Sequence, residues 1–295
     1  MNQKYIDISF VDFCHDHYLP YVKPRKRSWQ TDESLISNHL VPFFLYRNLD
    51  EIEVKDVMMF QNQKLTEGYQ PSSINRMTVL LKFIINCSMR WGWRERDRDW
   101  AEGASELKNV RSRERFLSPD EAVRLIQYLH KVPDRIAASL IELLLLTGAR
   151  KSELLFARWE YLDWDFQTLI VPLSKSGSSR HIFLGAGALK IFKKLQSCAG
   201  NNFIFSRQNR FEPITNLTTV WMKVRKATGL DTVRLHDLRH SYASFLVAEG
   251  RSLFEVQKLL GHANSQTTMK YAHLSNRQLL AAADVVSETL EKASS

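Results

Sequence analysis

One run of thirteen residues, Ile136–Gly148 (IAASLIELLLLTG), constrains this chain more than any other. It is apolar on nearly every side, so as a helix it has to be buried with other elements packed around it. Gly148 closes it in the usual way, because a glycine takes up the left-handed conformation just past a helix end. The run is too short for the roughly 20 apolar residues that span a bilayer, and no other stretch approaches that length. The polar start MNQKYID is no signal peptide. The chain is therefore expected to fold around an internal helix, with no membrane partner.

The flanking sequence supplies the surrounding layers. Phe116-Leu117-Ser118-Pro119 opens a helix, with Ser118 as N-cap, Pro119 at the first helical position and Asp120-Glu121 at the positive end. Ala149–Ala157 restarts as a short helix. The period then changes: YLDWDFQTLIVPL and HIFL read as strands separated by the turn SKSGSSR, a small antiparallel sheet. Helices resume near Gly187–Gln196, Leu217–Thr228, His236–Glu249 and Leu253–Leu260. A last apolar stripe falls in 276–290, a helix that needs a place to dock on its own domain or on a neighbouring copy.

Upstream, residues 5–100 read as four helices with short connections, a small bundle. ISFVDFCHDHYL forms the first, and WQTDESLISNHLVPFFL the second, stopped near Pro42. VKDVMMFQNQKLTEG ends at Gly68, and a long helix runs from Pro71 to Gly92. Arg94–Arg115 alternates charges without apolar period and reads as interdomain linker. The expected organisation is a mainly α chain with a small antiparallel β-sheet. Residues 1–105 form a helical domain, 106–115 the connection, and 116–295 a second domain.

Charge is unevenly placed. Residues 1–110 carry 15 basic and 15 acidic side chains, whereas residues 111–295 carry 26 and 17, so the whole net charge of +9 belongs to the second part. A basic surface there suits a polyanion, nucleic acid first, and equally serves solubility. Three widely spaced cysteines, Cys14, Cys87 and Cys198, fit free thiols in a reducing compartment, the cytoplasm.

The residues with chemistry to offer gather in Leu235–Leu274. On a helix, His236, Arg239 and His240 share a face. His262 follows Gly261 in a helix–helix turn, and Tyr271 lies nine positions further on, in a helix after Thr267-Thr268. HDLRH has the histidine spacing of a zinc-protease helix, but Asp237 stands where a longer Glu base belongs, and Arg239 would repel a dication. Work on a phosphate fits better. Arg donates two parallel hydrogen bonds and stays charged, which suits the extra charge of a phosphoryl transition state. Arg150, just after the Gly148 turn with Glu153 one turn on, is the second candidate of this kind, beside the blander reading as an ordinary surface ion pair. Lys175 in the hairpin turn is either solvated or a general acid. Taken alone, Tyr271 is either packing or a nucleophile whose phenol needs activation.

As a set these residues resemble the tyrosine recombinases, or phage integrases. The resemblance rests on TGARKSELL with Arg150 and Glu153, a hairpin Lys175, HDLRH with His236 and Arg239, and LLGHANSQTTMKYAHL with His262 and Tyr271. It covers most of residues 116–275, and more weakly the helical first part, through FFLYRNLDEIEVKDV. It implies a two-domain DNA clamp in which a core-binding domain precedes the catalytic domain. It also implies a mechanism. Tyr271 attacks a phosphodiester of a specific duplex site and forms a 3′-phosphotyrosine, while Arg150 and Arg239 clamp the phosphate and Lys175 protonates the leaving 5′-oxygen. His236 assists proton transfer at the nucleophile, His262 donates to a nonbridging oxygen, and His240 is left to helix packing. No metal, ATP or other cofactor is implied. Partners would be duplex DNA and three further copies, in a tetramer that passes through a Holliday junction with exchange of the C-terminal helix. An arm-type DNA-binding domain is not expected. Two other readings use the same residues: relaxation of DNA by a topoisomerase of like chemistry, and a regulator that binds without cutting. In place of the family's R-W-x-D-I-D phrase the chain has Arg158-Trp159-Glu160-Tyr161-Leu162-Asp163, which touches no catalytic position.

Overall fold

Pro42 does not stop the helix in which it sits. In the computed structural model, Trp29–Leu35 runs through a π-helical turn, Ile36–Leu40, into Val41–Phe44. The Val41 N–H reaches back five residues to the Ile36 carbonyl instead of four. That widening moves aside the carbonyl a proline ring would strike in an α-helix, and proline has no N–H to leave unpaired. Pro20 is accommodated in the same way: Phe10–Asp12 passes through a π turn, Phe13–Tyr18, into Leu19–Val22, with the Leu19 N–H on the Cys14 carbonyl.

The structure describes residues 8–95, 100, 103, 105–108, 115–172, 179–196, 202–206, 212–275 and 285. The chain divides into two units, Met1–Ser112 and Arg113–Ser295. The first holds the two proline-containing helices with Val54–Thr66 and Pro71–Arg90 around an aromatic core. Phe10, Phe13, Phe44 and Phe60 are fully buried there, with the Phe10 and Phe44 rings 5.3 Å apart. Asp32 is buried but not alone: the Tyr18 hydroxyl donates to it at 2.9 Å and the Lys26 ammonium at 2.6 Å.

Four described residues of the charged stretch that reads as linker, Arg94, Trp100, Ser105 and Leu107, pack instead on this first unit. Arg94 donates to the Leu49 carbonyl and Trp100 to the Ile52 carbonyl, each at 2.8 Å and each buried. Gln61 donates to the Ser105 carbonyl, and Asn75 pairs with both backbone groups of Leu107. The amphipathic reach of Arg and Trp explains why charge alternation misled: their apolar bodies fill the core while their polar ends find carbonyls.

In the second unit the apolar run forms the helix Arg135–Thr147, with Leu140, Ile141, Leu143 and Leu144 at the centre of the core. Ser118 caps Pro119–Leu129 reciprocally with Glu121. Short Lys151–Leu155 follows, then a three-stranded antiparallel sheet in the order β1 (Leu162–Asp163), β2 (Thr168–Val171), β3 (Arg180–Phe183). The stretch expected as a single strand from Tyr161 is thus two, because the Asp163 carboxylate accepts the N–H groups of Asp165 and Phe166 and turns the chain there. Ala186–Gln196, Leu217–Ala227, Leu235–Ala248 and Leu253–Leu260 complete the helical layers. The chain then passes through the short turn Gln266–Met269, so Tyr271 follows a helix rather than lying in one. Among the described residues no helix is long and apolar enough to cross a membrane. The segment 276–290, expected as a helix, lies outside the described residues except for Val285.

Candidate active site

The buried helix Arg135–Thr147 ends at Gly148 with φ of +62°, a conformation that any larger residue adopts with strain. A Cβ there would also overlap the Tyr242 ring, so both backbone and space demand glycine. This turn delivers Arg150 to the N-terminus of Lys151–Leu155. There the Glu153 carboxylate accepts the Arg150 backbone N–H at 2.7 Å and its guanidinium at 2.8 Å.

Glu153 also holds a second arginine, which the sequence reading passed over. Arg180 on β3 meets it with two parallel hydrogen bonds, Nε to Oε1 at 3.0 Å and Nη2 to Oε2 at 2.7 Å. Its remaining Nη1 donates to the Leu259 carbonyl. The signal was available. Side chains two apart on a strand share a face, and Arg180 lies two before the fully buried Ile182. Burial pushes the Glu153 carboxyl up, but the hydrogen bonds and charge of Arg180, joined by Arg150, outweigh it and hold the group below its ordinary range.

Arg239 lies on Leu235–Ala248, whose start is capped by Asp237 accepting the Arg234 N–H. Only 3% exposed, it donates through Nη1 to the Gly148 carbonyl and through Nη2 to the Leu260 carbonyl, both at 2.7 Å. Both acceptors stand at the ends of helices, where carbonyls lack intrahelical donors and carry partial negative charge. One guanidinium thereby ties the Gly148–Arg150 turn to the turn that carries His262. Gly261, at φ of +62°, makes that second turn, and a Cβ on it would run into the Arg180 side chain. The His262 Nδ1 lies 2.9 Å from the Thr268 hydroxyl.

Tyr271 is 5% exposed and packs against Ala243, Val247, Val256 and Leu260. Its hydroxyl is 2.6 Å from Nδ1 of His240, the histidine that the sequence reading assigned to packing. Lys270 reaches the same Nδ1 at 3.1 Å and lies 5.0 Å from the Tyr271 ring centre. The His236 and His240 rings meet edge to face at 4.9 Å. Of the residues singled out in the sequence, Arg150 thus bonds Glu153, Arg239 fastens the turns that carry Arg150 and His262, and Tyr271 and His236 both meet His240. Lys175 lies outside the described residues.

The electrostatics point to an anion. Burial lowers the His262 pKa to about 3, helped by the charges of Arg239, Lys270, Arg150 and Arg180. Burial, then Arg150 and Arg180, brings Arg239 down to about 10. His236 is lowered by burial, Arg239 and Lys270, and the Lys270 ammonium by burial and Arg239. Burial lifts the Tyr271 phenol to about 12, with Arg239 acting against it. Cations that depress one another are arranged for a negative group that relieves them all, and a tetrahedral oxyanion offers several acceptors at once. Among the described residues, no group of three or more His, Cys, Asp or Glu side chains is placed to hold a metal ion.

Two outcomes follow for stability. Replacing Glu153 by Gln leaves the nearly buried Arg180 without its counter-charge and is expected to cost about 3 kcal/mol, read as a lower urea midpoint. The histidines set the pH dependence. With His240 at about 4 and His262 at about 3, against an unfolded value of about 6.5, the unfolded chain binds more protons in between. Their burial as neutral rings therefore destabilises the fold progressively as pH falls from about 6.5 toward 4. The contribution of Glu153, whose folded pKa is depressed, is complete at neutral pH and is lost only at still lower pH. Thermal unfolding followed from pH 7 to 4.5 should show the fall, reduced in His262→Gln.

The chain is similar to known proteins in sequence and in fold. The family model described as "Phage integrase family" matches residues 115–278, and "Phage integrase, N-terminal SAM-like domain" matches residues 10–65. A curated relative, tyrosine recombinase XerC of Staphylococcus aureus (strain JH9), is 34% identical over 150 residues, 48% of this chain and 49% of that protein. The chain spans about half the length of the curated relatives it matches. Among solved structures, a lambda integrase dimer bound to a COC′ core site is similar in fold, with a TM-score of 0.73 at 20% identity, covering 90% of this chain and 95% of that one. The Tn1549 transposon integrase in complex with a circular intermediate DNA gives 0.72 at 18% identity, over 86% and 92%. A lambda integrase tetramer bound to a Holliday junction gives 0.73 at 21%, over 90% and 77%.

Proposed function

From the membership of this chain in the phage integrase family, carried by the match over residues 115–278, we propose that it is a site-specific tyrosine recombinase acting on duplex DNA. Tyr271 attacks the scissile phosphate, its oxygen becomes linked to the 3′-phosphate, and the 5′-oxygen leaves. Arg150 and Arg239 hold the nonbridging oxygens as charge builds on them. His262 and His236 add donors to the same phosphate, and Lys175 protonates the leaving oxygen. Because the phosphotyrosine keeps the bond energy of the phosphodiester, a 5′-hydroxyl from a second duplex can attack it and rejoin the strands without ATP. Pairing of such exchanges through a Holliday junction calls for four copies on two DNA sites, with segment 276–290 available to link them. The protein would thus reside on DNA, in the cytoplasm.

One observation supports this reading above the rest: a single helical turn, His236–His240, joins the turns that bear Arg150 and His262 to the Tyr271 hydroxyl. Arg239 holds the turns bearing Arg150 and His262, and His240 holds the Tyr271 hydroxyl. A protein that only binds DNA gains nothing from a phenol kept beside converging arginines, since binding needs surface charge and groove contacts alone.

The test is incubation of the full chain, in EDTA, with duplex fragments from around its own gene. A denaturant-resistant protein–DNA adduct is expected at one sequence, with the protein on the 3′-phosphate and a free 5′-hydroxyl. Binding without an adduct, or an adduct on the 5′ side, refutes the reading. Site-independent relaxation of supercoiled DNA by a monomer would replace it with a topoisomerase.

A further inference from the structure

Two hydrogen-bond donors meet at one nitrogen beside the proposed nucleophile. The Tyr271 hydroxyl lies 2.6 Å, and the Lys270 ammonium 3.1 Å, from Nδ1 of His240. An ammonium can only donate, so Nδ1 carries the lone pair and the ring proton sits on Nε2. The phenol must then donate as well, which aims its proton along a short hydrogen bond at a basic nitrogen. The ring is held in that pose by its helix and by the edge-to-face contact with His236. His236 has no contact with the phenol among the described hydrogen bonds.

We infer that His240, rather than His236, takes the proton from Tyr271 during attack on phosphorus, a role that rests on the recombinase reading above. As the Tyr271 oxygen bonds to phosphorus, its proton passes to Nδ1, and the bond from phosphorus to the 5′-oxygen breaks with a proton supplied by the acid, Lys175. In rejoining, a 5′-hydroxyl attacks phosphorus and gives its proton back to Lys175, the bond from phosphorus to the tyrosyl oxygen breaks, and His240 returns its proton to that oxygen. The positive charge gained by the imidazole is answered by the phosphodiester anion that the arginines bring within reach. Lys270, beside both rings, favours the phenolate as it forms. Burial and the nearby Lys270 keep His240 unprotonated at neutral pH, so it is in the accepting form before DNA arrives.

The experiment compares wild type, His240→Asn, His240→Leu, His236→Asn and Lys175→Ala in single-turnover cleavage of the DNA site, from pH 5 to 9. Asn places an amide oxygen near the Nδ1 position, so it keeps the hydrogen bond but takes no proton. A second substrate carries sulfur in place of the leaving 5′-oxygen and needs no acid. Both His240 variants are expected to bind the site normally and to form the adduct about 10²–10⁴-fold more slowly. The sulfur substrate should rescue Lys175→Ala and neither His240 variant. Near-normal cleavage by His240→Asn would overturn the inference in favour of positioning alone. Rescue of the His240 variants by sulfur, or a larger loss in His236→Asn than in both, would also overturn it. No adduct from wild type on any fragment would instead remove the recombinase reading beneath it.

Discussion

Tyr271→Phe is expected to abolish the covalent protein–DNA complex while leaving affinity for the DNA site within about two-fold. The ring keeps its packing against Ala243, Val247, Val256 and Leu260, so the fold loses only the hydrogen bond to His240, about 1 kcal/mol. The reaction loses the only atom that can join phosphorus at that position, and no rate remains to be rescued by pH or by an activated leaving group. Gel shift measures the first quantity and denaturing electrophoresis of the adduct the second. An adduct that survives in Tyr271→Phe would move the nucleophile elsewhere and dissolve the assignment of the site around His240.

Arg239→Lys should be the most damaging conservative exchange, in two separable ways. The guanidinium spans two carbonyls, those of Gly148 and Leu260, which lie in different helix ends. An ammonium on a shorter, single-pointed chain reaches one of them at best and leaves the other unpaired in the interior, a cost of about 1–3 kcal/mol. The same change removes the guanidinium N–H groups that those two carbonyls leave for the proposed phosphate, and loss of one such donor lowers a rate by about 10²–10³. Denaturation in urea reads the first effect and single-turnover cleavage the second. If cleavage falls only in proportion to the fraction folded, Arg239 is a structural tie and not part of the phosphate clamp.

These two residues also show how much was legible beforehand. Arg239 and Tyr271 stand out in the sequence through the resemblance of HDLRH and LLGHANSQTTMKYAHL to the tyrosine recombinases, since taken alone Tyr271 reads equally as packing. Helix ends at Gly148 and Gly261 were legible too, since a left-handed residue is a local requirement that only glycine meets cheaply. Local rules failed where a local rule was overridden by its context. Pro42 continues a helix because a π turn precedes it, and Arg94 and Trp100 join a core because carbonyls of Leu49 and Ile52 wait for them.

The sequence by itself determined which groups are present, in what order, and where the chain turns: the buried helix, the two glycine turns, the His–Arg helix and the tyrosine after it. Tertiary structure alone decided the partnerships. Glu153 belongs to Arg180, 27 residues away, as much as to Arg150; Arg239 closes on a carbonyl 91 residues before it; and His240, passed over as packing, holds the Tyr271 hydroxyl 31 residues on. Periodicity reports which face a side chain shares with its neighbours on one element. It carries no information on which distant element supplies the donor or acceptor that a buried polar group must have, because only the packed fold brings those elements together.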